Sequence, residues 1–341
     1  MNPTSGAPRR ARPAAVLRGQ WTLPALQEHL QYAVDLELYT IPYYMAAMFS
    51  IKDPGAEATQ LIRTVVNQEM LHLQLAANVA NAFGCTVEIT PPVYGGAIPH
   101  LDFDLNHPDP TRVFSPWTSE IGPLDEARLN TMCLIEYPDW SGAANVDPDV
   151  TEYRSIGDFY HAVAIGAEEL QRHIVGNRNQ LNVFANFYPN FSQPTVTRDG
   201  EYGLGQVQDI INAILAQGEG RLGGTSQALR GRFRPWLRIF GGYVPPAYQN
   251  MADDLRQKAD HFEKFVYLKG QPLPETWSAG PLTDAGIKAQ DRLVADFATL
   301  CGILQAEVRG EPGEFSPIMF QVGGDIVSCW RLGAVPTFSK P

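Results

Sequence analysis

Two helix-period apolar segments, each with acid on its apolar face, constrain this chain more than anything else in it. The first covers residues 22–50, where Leu26, Leu30, Ala33, Ile41, Tyr44 and Met48 recur at helical spacing. Thr22 suits an N-cap, and Pro24 is tolerated in a first turn. Pro42 predicts a kink or a freed carbonyl near Leu38. On a wheel of about 100° per residue, Glu37 falls beside Leu26 and between Leu30 and Ala33. The second segment runs from about 56 to 83, with Ile62, Val65, Val66, Leu73, Ala76, Ala80 and Phe83 as its stripe and Gly84 closing it. Within "NQEMLHL", Glu69 and His72 are i and i+3, one above the other on that stripe. A carboxylate on an apolar face is costly unless it is paired or bound to a metal. Glu37, Glu69 and His72 therefore predict a buried salt-bridge network or a metal site.

Downstream, the pattern stays helical but is interrupted. Residues 85–122 are rich in Pro, Gly, Asn and Asp and form an irregular stretch long enough to cover a site. Further helices are predicted at about 125–136, 156–175, 206–217, 247–269 and 284–309. Pro138 stops the first of these, and Ser155 with Asp158 opens the second like a capping box. Residues 176–205 read as loop, and the segment containing "SPIMFQVGGDIVSCW" as a tail. The fold class is all-α, a helical bundle with long ordered loops and an extra C-terminal helix.

Later helices offer further ligands. Glu136 continues the stripe Leu129, Met132, Cys133, just before Tyr-Pro. Glu168 and Glu169, with His173, point away from Val163, Ala167 and Leu170, so a solvated face is expected. Glu219, in "QGEG", sits at a helix C-terminus, where negative charge asks for a cation. His261 lies at the edge of the stripe Met251, Leu255, Phe262. Tyr43, Tyr44 and Tyr160 are placed to line a pocket or carry redox chemistry, with Tyr44 and Tyr160 the candidate catalytic residues.

There are 37 acids against 26 bases, for a formal net charge of −11. That balance argues against a nucleic-acid partner or an anionic membrane surface. Nor is there an apolar run of about 18 residues, so no membrane span is expected. The basic first residues, with Arg9, Arg10, Arg12 and Arg18, lack a following apolar stretch and read as a disordered tail over 1–19 rather than an export signal. Cys85, Cys133, Cys301 and Cys329 lie far apart with no CxxC, which fits reduced thiols in the cytoplasm.

The blocks "LELYTIPYYMAAMFSI", "VVNQEMLHLQLAANVANAFG", "IEYP", "GDFYHAV", "QGEG" and "HFEKF" occur in this order. Together they resemble the ferritin-like domain of the iminophenylpyruvate dimer synthase type, found in violacein- and rebeccamycin-pathway enzymes and in stand-alone bacterial proteins. The resemblance covers about 20–270, leaving 271–341 as a helical extension packed on the bundle. It implies metal ligands at Glu37, Glu69, His72, Glu136, Glu219 and His261. Two departures stand out. Glu219 and His261 come from different elements, whereas the ferritin template ends in a second Glu-x-x-His on one helix. Asp260-His261-Phe262 also stands where the family usually has Ser-His-Tyr. The dimer synthases are much longer, so their coupling chemistry does not carry over.

Four carboxylates and two imidazoles suit two iron or manganese ions better than zinc. The implied function is a non-haem di-iron or di-manganese oxidase or oxygenase in natural-product metabolism. Its partners would be dioxygen and a small, amino-acid-derived substrate, with the chain a monomer or homodimer. Glu69 or Glu136 would bridge the ions. Two alternatives are an iron-binding ferritin relative and a non-enzymatic helical binding protein in which Lys52 or Arg63 neutralises the acids. A haem reading through His161 and His173 lacks a CxxCH signal.

Overall fold

In the computed structural model, residues 10–99, 110–137, 153, 155–183, 194–217, 259–313 and 315–339 are described. Among them are nine α-helices and no strand: α1 Leu23–Ser50, α2 Glu57–Ala82, α3 Pro110–Val113, α4 Glu126–Ile135, α5 Ile156–Glu169, α6 Gly200–Gln217, α7 His261–Lys269, α8 Asp284–Val308 and α9 Phe315–Arg331. The expected all-α bundle is what is found.

Helix α1 is buried nearly all round, as befits a helix at the centre of the molecule. It packs on α2, α5 and α9, while α2 also meets α6, α7 and α8. The short connection from Ser50 to Glu57 makes α1 and α2 antiparallel neighbours. Thr22 caps α1 by accepting from the Ala25 amide, and the helix runs unbroken through Pro42. Gly84 ends α2 with φ +78°, a left-handed conformation that favours glycine.

Several local expectations need correction. The described part of the presumed tail, residues 10–19, lies on the bundle. Pro13 is buried, Arg10 pairs with Asp35 at 3.1 Å and Glu88 at 2.9 Å, and the Gly19 amide donates to Glu169 at 2.6 Å. The 156–175 helix stops at Glu169, followed by a 3₁₀ turn at Gln171–His173. Helix α6 begins at Gly200, earlier than predicted, because "DGEYGLG" reads as loop. Its glycine at 203 is instead a contact point, where a Cβ would meet the Arg198 carbonyl oxygen at 2.2 Å.

The predicted 247–269 helix has a start inside it: Asp260 caps α7, so His261 is a first-turn residue. The "SPIMFQVGGDIVSCW" tail is helix α9. Ile318, Val322, Ile326, Cys329 and Trp330 form its buried stripe. Its Gly323 lets the Phe49 ring of α1 approach; a Cβ there would lie 3.2 Å from that ring. Trp330 Nε1 donates to the Ala46 carbonyl at 2.9 Å, fastening α9 to α1.

Candidate metal centre

Five of the six ligand candidates, carried by four elements, meet in the interior. Glu37 comes from the middle of α1, and Glu69 and His72 from one face of α2. Glu136 is the C-cap of α4, and His261 opens α7. All five are buried. The sixth, Glu219, lies outside the described residues. A capping box holds His261 in place: Asp260 accepts from the Glu263 amide at 2.8 Å, and the Glu263 carboxylate accepts from the Asp260 amide at 3.3 Å.

The five form two triads, Glu37–Glu69–His72 and Glu69–Glu136–His261, each with ligand atoms within 4.8 Å of one another. Glu69 belongs to both. Its Oε1 is 2.7 Å from His261 Nδ1 and 3.9 Å from His72 Nδ1, while Oε2 accepts from Thr40 at 2.9 Å. The outer acids mirror each other. Glu37 Oε1 accepts from the Tyr160 hydroxyl, and Oε2 lies 3.6 Å from His72 Nδ1. Glu136 Oε1 accepts from the Tyr44 hydroxyl at 2.6 Å, and Oε2 lies 3.4 Å from His261 Nδ1. The two imidazoles stack with centroids 5.5 Å apart.

The far side of each ring fixes its tautomer. His72 Nε2 is 3.2 Å from Gln217 Oε1, and His261 Nε2 is 3.2 Å from Gln68 Oε1. An amide oxygen only accepts, so each Nε2 carries a proton and each Nδ1 is the ring nitrogen turned toward the carboxylates. His261 Nδ1 is buried without a hydrogen-bond partner, although Glu69 Oε1 is close. An unprotonated Nδ1 facing carboxylate oxygens is repulsive unless a proton or a metal cation lies among them. Burial, then the nearby Glu136 and Glu37, push the Glu69 carboxyl well above its ordinary range against the opposing effects of His72 and Thr40. On donor chemistry and on this orphaned nitrogen, the residues fit divalent metal.

Other candidates are elsewhere. Tyr43 donates to the Thr118 carbonyl at 2.6 Å, away from the acids. Glu168 is half exposed and 3.5 Å from Arg18, and Glu169 takes the Gly19 amide, in keeping with a solvated face. The proposed neutralising cations do not reach the acids: Lys52 pairs with Glu275, and exposed Arg63 contacts Gln60. Four participants escaped the sequence reading: Thr40, Gln68, Gln217 and Lys264. Lys264 is buried and donates to Gln68 Oε1 at 2.9 Å. Burial lowers its pKa to about 8, opposed by Asp260, Glu136, Glu69 and Glu263. Thr40 and Lys264 each stand three residues beyond a ligand, a spacing that could have found them.

The chain matches the Ferritin-like family over residues 30–233. Among solved structures it is similar to a ferritin-like protein from Caulobacter vibrioides, with 40% identity and a TM-score of 0.76, covering 94% of this chain and 99% of that one. No curated protein matches it. With more than half its length in the family match and a whole-length relative of the same description, the chain belongs to the ferritin-like family.

Proposed function

We propose that this protein is a non-haem dinuclear iron or manganese enzyme, an oxidase or oxygenase that uses dioxygen on a small substrate. The observation that carries the reading is the pair of imidazoles whose Nε2 protons are committed to glutamines while both Nδ1 atoms face a shared carboxylate. Glu37, Glu69 and His72 would hold one ion, and Glu69, Glu136 and His261 the other, with Glu69 common to both. Bound there, iron or manganese supplies redox steps and open positions for dioxygen.

The chain's own groups do the rest. Tyr160 and Tyr44 hold a proton on Glu37 and Glu136, so each phenol can pass a proton to its carboxylate as charge at the centre changes. Burial keeps bulk water from the acids and strengthens every charge interaction among them. An amino-acid-derived substrate rests on the resemblance to the iminophenylpyruvate dimer synthase type. The cytoplasmic assignment rests on four buried, free cysteines. Among the described residues no helix is long and apolar enough to cross a membrane.

Anaerobic titration with ferrous iron, followed by metal analysis, tests the reading. About two equivalents should bind per chain, and air should then oxidise them. Less than about a tenth of an equivalent of either metal, with unchanged melting on adding iron or manganese, would overturn it.

A further inference from the structure

Among the described residues, the two halves of the centre match group for group except at one point. Each has an outer glutamate bonded by a tyrosine, an imidazole bonded by a glutamine, and a share in Glu69. Only on the His261 side do the described residues place a buried ammonium against the glutamine: Lys264 Nζ lies 2.9 Å from Gln68 Oε1, the atom that also contacts His261 Nε2. Lys264 follows His261 by one turn of α7 and is almost wholly buried. It interacts electrostatically with Asp260 and Glu263 of the capping box and with Glu136 and Glu69 of the centre.

We propose that Lys264 is a resident counter-charge that makes the two half-sites unequal, so that Glu37–Glu69–His72 takes a divalent ion tightly and Glu69–Glu136–His261 takes its ion second and more weakly. The inference deepens the two-ion reading and rests on it. A fixed positive charge in a low-dielectric interior opposes a second cation beside Glu136 more than one beside Glu37. The same charge balances Glu69 and Glu136 while only the first half is filled. Lys264 is thus a positioning residue. It acts on the ion through the field it sets and through the glutamine that holds His261.

The test is anaerobic calorimetric titration of the full chain with Mn²⁺, comparing wild type, Lys264→Met and Lys264→Arg. Melting of each metal-free variant confirms equal folding. Wild type should show a tight step and a weaker one. Lys264→Met removes the charge and keeps the bulk, so it should tighten the weaker step by about tenfold or more and leave the first within about twofold. Lys264→Arg should retain the wild-type separation. His72→Ala should abolish the tight step, and His261→Ala the weak one. A second step that is unchanged or weakened in Lys264→Met, in a chain that still binds two ions, overturns the role of Lys264 alone. A wild type that binds no Mn²⁺ overturns the metal reading beneath it.

Discussion

Glu69 is the residue on which the centre turns, because both triads need it and burial disfavours its charge. Its folded-state pKa lies well above the ordinary value of 4.5, so the metal-free fold binds this proton more tightly than the unfolded chain does. The associated stability is fully present below about 4.5 and is lost as pH rises through the raised folded value. Metal-free protein should therefore melt lower as pH rises through that window. Glu69→Gln should flatten the slope while binding almost no iron. Differential scanning calorimetry checks this; parallel pH profiles for the two proteins would contradict it. The supporting glutamines should act one half at a time. Gln217→Leu should weaken the His72 half and Gln68→Leu the His261 half, each by about 10- to 100-fold in metal affinity, read by titration. Glu37, Glu69 and His72 were legible in the sequence because helical periodicity fixes which way they face. Gln68 and Gln217 were not. They act from half-buried positions, and their partners come from helices remote in sequence.

At the scale of elements, α7 shows why part of the site escaped periodicity. A wheel drawn over 247–269 puts His261 at the edge of a stripe, yet its position is set by the Asp260 capping box at a helix start. Cap chemistry is local and visible in the letters, but an apolar pattern running on past it hides the boundary. Helix α9 lies in a stretch that reads as a tail, and its Gly323 serves close approach to the Phe49 ring. Removing the cap with Asp260→Ala should cost about 1–2 kcal/mol by urea denaturation. It should also weaken the His261 half-site and spare the His72 half. A loss spread equally over both halves would show that α7 does not position His261 in this way.

Over the whole molecule, α1 joins function to stability. One of its faces carries Glu37, Thr40 and Tyr44 toward the acids, and α9 is fastened to it through Trp330 and the Ala46 carbonyl. Trp330 is fully buried. Trp330→Ala should cost about 3–5 kcal/mol in chemical denaturation, with loss of α9 packing and metal binding in one transition. Separate transitions would mean that α8 and α9 fold apart from the bundle. The bundle class was readable from the sequence because it follows from several periodic segments at once. The docking of α9 depends on contacts between the two ends of the chain, which no local pattern records. The central claim, that Glu69 is shared by two metal ions, is tested most directly by anomalous diffraction from crystals grown with Mn²⁺. The account predicts two anomalous peaks on either side of Glu69, one against His72 and one against His261. Crystals in which no peak lies against Glu69 would contradict it.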